Sequence, residues 1–218
     1  VVSLKIQETF GENLVELVQV ESAGRKELEA YENIIAGVST WFDGELPTYW
    51  DELLPEIEAT DLSGKKVAIF GLGDQKNYPD NFVDGIGILA DSFRNSGATL
   101  VGFTSPDGYQ FNQSRAITDN HFTGLVLDIE NQSDLTEERV LKWTKQLKKE
   151  FGLQRPACAE PVPTLLRHPQ YCCCDICSTT GAVGATVRFA LPQQTGKKMG
   201  EGGCKLIASP FSLRSSLF

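Results

Sequence analysis

Lys66–Phe82 reads KVAIFGLGDQKNYPDNF. Val67, Ala68, Ile69 and Phe70 form a short apolar run, the pattern of a strand buried on both faces. Gly71 and Gly73 break that run, and Asp74 to Pro79 make a polar loop carrying one aromatic, Tyr78. Asp80 is placed to cap a helix whose apolar positions Phe82, Ile86, Leu89 and Phe93 recur at helical spacing. Strand, loop and helix in this order make half of a βαβ unit. In open α/β sheets, ligands bind at the loops outside the carboxyl ends of the strands.

Working outward, the chain divides into two unlike pieces after Gly152. The first holds 13 Lys and Arg against 26 Asp and Glu, a net charge of −13. The remainder is net +4 and contains all six cysteines and six of the ten prolines. So acidic a first piece would be repelled by nucleic acid and by anionic membrane, and it suits a partner with a basic docking face; acidity that serves only solubility is the plain alternative. No stretch is apolar enough to span a bilayer, and a cysteine-free first piece fits a reducing compartment.

Strands alternate with helices through the first piece, which predicts a doubly wound parallel sheet. Leu4, Ile6 and Phe10 predict the end of an amphipathic helix closed at Gly11. Leu14–Val20 and Asn33–Val38 read as strands, and Thr48 as the cap of a short helix through Leu54. The helix beginning at Asp80 closes at Gly97. Ala98–Gly102 and Leu125–Ile129 read as strands separated by about twenty residues, long enough to mark an insertion. Thr136 is placed to cap a last helix whose Val140, Trp143, Leu147 and Phe151 share a face, with Lys148 and Lys149 at its C-terminal end. Beyond Leu153 no period is sustained; Ala182–Leu191 could form an isolated strand, and disorder is predicted for most of the remainder.

Gly71-Leu72-Gly73 invites a dinucleotide fingerprint, but the third glycine position is Lys76 and no acidic residue closes a following strand where a ribose needs one. A phosphate-accepting receiver would need an acidic cluster at the end of a first strand that the chain lacks. A more specific feature is a pair of strand-end loops, STWFDGEL with Trp41 and GLGDQKNYPDNF with Tyr78. Two aromatics over one cleft suit a flat heterocycle held by offset stacking; on spacing alone they are equally well read as ordinary loop or core aromatics. His121 reads as a solvated residue of the insertion. Cys174-Asp175-Ile176-Cys177 is a C-x-x-C beside Cys172 and Cys173, but it has no second pair, and His168 is a single candidate, so neither a zinc site nor a redox pair is specified.

GVSTWFDGELPTYW, VAIFGLGDQKNYPDNFVDGIGIL, DGYQFNQSRA and FTGLVLDIENQSDLTEERVLKWTKQLKKEFGL together resemble a long-chain flavodoxin, in the family's order, over residues 1–153. The resemblance implies an α/β, flavodoxin-like doubly wound parallel sheet of strand order 2-1-3-4-5, with the last strand split by the insertion. It implies FMN as cofactor, Trp41 and Tyr78 flanking the ring, the backbone of Thr40, Phe42, Asp43 and Gly44 along one edge, Leu72, Gly73 and Asp74 near its pyrimidine side, and Asn81 close by. The Phe42–Asp43 peptide would turn to accept a hydrogen bond from the reduced ring, at more cost than with glycine. Asp43, Glu45 and Asp74 would lower the second reduction potential.

The implied function is low-potential one-electron transfer by a non-enzymatic carrier. Its partners would be a basic-faced flavodoxin/ferredoxin–NADP reductase or a photosystem and acceptor enzymes. The expected state is a monomer in the cytoplasm or a plastid stroma. An FMN-dependent NAD(P)H or quinone reductase on the same fold and a flavin-free interaction domain are the competing readings.

Two departures stand out. Ser39 replaces a frequent proline. The family's first strand and its phosphate loop, roughly a dozen residues, do not precede Val1, so the chain reads as a truncated gene or fragment with weak or absent FMN binding. The strands at Leu14–Val20 and Asn33–Val38 would then lack a shared partner, and residues 154–218 read as an unrelated tail from a frameshift, read-through or misjoined gene.

Overall fold

The structure is a computed structural model that describes residues 2–153 and 204–208. The elements in order are α1 Val2–Phe10, β1 Val15–Val18, a 3-10 turn Val20–Ser22, α2 Arg25–Ala30, β2 Asn33–Ser39, α3 Thr48–Glu58, β3 Lys66–Leu72, α4 Asp84–Asn95 and β4 Thr99–Val101. A hairpin β5 Ile117–Thr118 and β6 His121–Phe122 follows, then β7 Leu125–Leu127, α5 Ile129–Gln132, a 3-10 turn Ser133–Leu135, α6 Thr136–Glu150 and β8 Cys204–Ala208.

The parallel sheet runs β1-β8-β2-β3-β4, with β7 also on β3. Its alternating side chains sort into two cores. Ile34, Ala36 and Val38 of β2, Val67 and Ile69 of β3 and Ile207 of β8 face one side with Trp50, Ile86, Leu89 and Phe93 of α3 and α4. Ile35, Ala68 and Phe70 face the other with Ile6 and Phe10 of α1 and Val140, Trp143 and Leu147 of α6. Both faces are covered, which is why β2 and β3 read as unbroken apolar runs. The split strand is borne out: β4 pairs with Lys66–Ala68 and β7 with Phe70–Leu72.

β8 departs most from the sequence reading. Cys204–Ala208 lies between β1 and β2, paired in parallel with Val15–Val18 and with Asn33–Gly37. It is the shared partner those two strands were expected to lack, and it places these five residues in the sheet. Ala182–Leu191, His168 and the Cys172–Cys177 cluster lie outside the described residues.

Smaller corrections have local causes. Leu4 is exposed, while Val2 and Ser3 complete the buried face of α1. α4 starts at Asp84 behind Val83, whose φ is +53°, and Asp80 instead accepts from Asn112 Nδ2 at 2.8 Å. α3 runs past Pro55 to Glu58, and neither Thr48 nor Thr136 acts as a cap: each is the first residue of its helix. Within the insertion, Tyr109, Phe111 and Phe122 gather around Phe82 at centroid distances of 5.3–6.2 Å.

Candidate functional site

The parallel register sets Ser39 beside Leu72, so the loops after β2 and β3 leave the sheet at the same level and side by side. Thr40 N donates to Leu72 O at 3.2 Å, which continues the ladder one residue into the loops. The first loop is then closed on itself. Trp41 N donates to Glu45 O at 2.9 Å, Glu45 N to Trp41 O at 2.8 Å and Gly44 N to Trp41 O at 3.2 Å. Phe42 within this turn has φ +43° and Gly44 φ +96°. A left-handed phenylalanine is uncommon and costs on the order of 1 kcal/mol, so the surrounding turn must hold it there. Gly44 has no room for a side chain: a Cβ would stand 2.8 Å from Asp84 Oδ2.

Two contacts fasten this loop to its neighbours. Thr40 Oγ1 accepts from Gly85 N at the start of α4 at 3.1 Å. Asn81 Nδ2 donates to Asp43 O at 3.0 Å, tying the first loop to the second. The second loop is an Asp74-centred turn in which Asp74 Oδ1 accepts from Lys76 N at 3.0 Å and Asn77 N at 3.1 Å, while Tyr78 N donates to Asp74 O at 3.0 Å. Burial pushes the Asp74 carboxyl upward, but these amides and the Asn77 and Asn131 side chains outweigh it and hold the group below the usual carboxylate range.

The insertion supports the second loop from outside. Pro79 O accepts from Asn112 N at 2.8 Å and Gln113 N at 3.0 Å, and Arg115 N donates to Asp84 Oδ1 at 2.7 Å. A polar cleft of about 400 Å³ lies where Gln75 and Lys76 meet Gly108, Gln110, Asn131 and Gln132.

On this scaffold Trp41 is 42% exposed, Phe42 72% and Tyr78 50%, whereas Trp50, Trp143, Phe82 and Phe93 are fully buried. Trp41 is propped edge-on by Tyr49, at a centroid distance of 6.2 Å and 85°. Half-exposed aromatic side chains on two braced loops can hold a flat heterocycle by stacking and by backbone hydrogen bonds. Asp43 and Glu45 are exposed on the same rim, so charge there is negative. All ten residues expected of the site, Thr40, Trp41, Phe42, Asp43, Gly44, Leu72, Gly73, Asp74, Tyr78 and Asn81, lie on these two loops or at their stems.

The glycines of G-L-G have a packing cause. A Cβ on Gly71 would stand 2.4 Å from Ile86 Cγ1 and one on Gly73 2.6 Å from Val83 Cγ1, so both let α4 close onto β3. Among the described residues no cluster of His, Cys, Asp and Glu could hold a metal ion. Sequence reasoning missed Asp84, Asp128 and Asn131, which brace the loops; Asp128-x-x-Asn131 is a readable helix-cap pattern, but its reach to Gln75 is not.

The flavodoxin family model matches residues 2–143. A flavodoxin from a Nostoc species is 47% identical over 148 residues, 68% of this chain and 87% of that protein, and flavodoxin 1 of Escherichia coli is 39% identical over 149 residues, 68% and 85%. Among solved structures, a Fusobacterium nucleatum flavodoxin bound to flavin mononucleotide superposes with a TM-score of 0.66 at 35% identity, over 68% of this chain and 89% of that one. On the family model and the identity to these relatives, the chain belongs to the flavodoxin family.

Proposed function

We propose that the loops after β2 and β3 grip the ring of FMN, with Trp41 and Tyr78 against its faces. The backbone of Thr40, Phe42, Asp43 and Gly44 follows one edge, Leu72, Gly73 and Asp74 approach the pyrimidine side, and Asn81 stands close by. The observation that carries this reading is the pair of open aromatics on loops locked together by the Asn81–Asp43 hydrogen bond.

As a flavodoxin, the chain is an electron carrier and not an enzyme. Bound FMN supplies the one-electron chemistry, and the protein's part is to hold the ring, shield its faces and set the charge around it. Exposed Asp43 and Glu45 disfavour added negative charge on the ring. They also suit docking to a basic-faced reductase such as a flavodoxin/ferredoxin–NADP reductase, at a partly exposed aromatic edge. A monomer in the cytoplasm, or in a plastid stroma, completes the proposal. No described helix is long and apolar enough to cross a membrane.

The test is a titration of the purified full chain with FMN, followed by NADPH oxidation with and without the reductase. Quenched flavin fluorescence, slow unaided oxidation and fast reduction through the reductase are expected. Rapid direct turnover with a quinone would instead favour a reductase, and unquenched flavin at any concentration would end the FMN reading.

A further inference from the structure

β7 and β3 pair with Leu127 beside Leu72, so Asp128, the next residue, falls level with Gly73 at the root of the second loop. Asp128 is fully buried, and no Lys or Arg among the described residues forms an ion pair with it. Its carboxylate is occupied by amides. Oδ1 accepts from Asn131 N at 3.0 Å, which caps α5, while Oδ2 accepts from Gln75 N at 3.1 Å. Asn131 Nδ2 lies 3.0 Å from both Asp128 oxygens and 2.8 Å from Asp74 Oδ1. A side-chain amide has two N–H groups, so one points at Asp74 and the other is shared by the Asp128 carboxylate.

Capping α5 needs only the Oδ1 contact. Two of the other bonds, Gln75 N to Asp128 Oδ2 and Asn131 Nδ2 to Asp74 Oδ1, leave the helix and reach a segment more than fifty residues earlier in the chain. They fasten Gln75 N and the Asp74 carboxylate, and Asp74 in turn gathers Lys76 N and Asn77 N. One buried carboxylate and one amide thus fix the backbone between Gly73 and Asn77, the segment that begins with Gly73 and Asp74, both assigned to the pyrimidine side of the ring. Neither is among the ten ring-site residues.

We propose that Asp128 and Asn131 are positioning residues of the cofactor site, holding the Gly73–Asn77 loop in the shape that receives the ring. The proposal rests on the FMN reading above, and the experiment separates the two. Asn131→Ala removes the bridging amide but keeps the backbone donor; Asn131→Asp keeps the shape and puts a third carboxylate where the donor was; Asp128→Asn is the complementary change. Hydrogen exchange at Gln75, Lys76 and Asn77 is measured in the full chain, with FMN affinity and both one-electron potentials.

Faster loop exchange with β3 amides unchanged is expected. So are an FMN Kd raised about 10-fold in Asn131→Ala, as loss of one charge-assisted hydrogen bond implies, and a displaced potential. Asn131→Asp should be worse than Asn131→Ala, the reverse of what side-chain volume alone would give. Loop exchange like that of the parent in both Asn131 variants overturns the proposal, as does unchanged affinity and potential in a chain that binds FMN. If the parent binds no FMN, the cofactor reading falls, and the exchange rates alone decide whether the anchor exists.

Discussion

Ile207→Ala is the sharpest test of the sheet, because it asks whether five residues near the C-terminus hold the centre of it. Ile207 is fully buried and sits in the core that includes Ile34, Ala36 and Trp50. Its strand is paired on both sides, Ile207 itself standing level with Val18 and Ala36. Truncating a buried isoleucine to alanine loses the transfer energy of the removed carbons and leaves a cavity, about 2–4 kcal/mol together. A domain of this size loses about 2–4 °C in Tm per kcal/mol, which gives a fall of roughly 4–16 °C.

Urea unfolding followed by tryptophan fluorescence suits the measurement, because Trp50 reports on the face that holds Ile207 and Trp143 on the opposite face. Both faces should unfold together, at a lower midpoint and with an unchanged m-value. A loss below about 0.5 kcal/mol is what surface positions give. That result would refute the placement of β8 between β1 and β2.

Trp41→Ala should raise the FMN Kd about 10-fold through lost stacking with little change in Tm, since the residue is 42% exposed; isothermal titration and a melting curve check the two halves. Gly71→Ala should cost about 1–3 kcal/mol by overpacking, its Cβ meeting Ile86 Cγ1 at 2.4 Å, and Ile86→Ala should recover part of that loss in a double-mutant cycle. The Tyr109 hydroxyl is pushed up to about 12, chiefly by burial, with Arg139 pulling it down and Asp128 adding to the rise. Its folded pKa lies above the unfolded value near ~10, so its contribution is complete below pH ~10 and is lost as pH rises towards 12. Tyr109→Phe should flatten the alkaline limb of the stability curve in that window, read by urea midpoints against pH.

The elements legible in the sequence are those whose pattern is set locally. β2 and β3 are apolar on both faces because helices cover both, and α6 shows its buried stripe at helical spacing. The parts that were not legible depend on partners distant in the chain. α2 is six residues with only Leu28 buried, too short to show a period. The start of α4 is hidden in the sequence because Asp80 has the chemistry of a cap while its side chain is held by Asn112 of the insertion. Cys204–Ala208 carries no signal that separates it from its surroundings, and its place is set by two neighbouring strand edges in need of hydrogen bonds. At the site, the aromatic loops could be read from composition, but the bond from Gln75 N to Asp128 joins segments that follow two different strands, 53 residues apart in the chain.

The site depends on the sheet in one further respect. Ser39 opposes Leu72, and Leu72 opposes Leu127, in consecutive parallel ladders. Three strand ends therefore finish at one level: the Trp41 loop leaves the first, the Gly73 loop the second, and Asp128 follows the third. A shift of one residue in either ladder would turn every side chain on the moved strand to the opposite face, exchanging the two cores at that strand. The packing energy that fixes the register therefore also fixes the spacing of the clamp. β8 enters this argument because its pairing with Asn33–Gly37 secures the far edge of β2, the strand from which Trp41 is hung. Damage at Ile207 should consequently weaken ring binding through the register of β2, with no contact between Ile207 and the ring required.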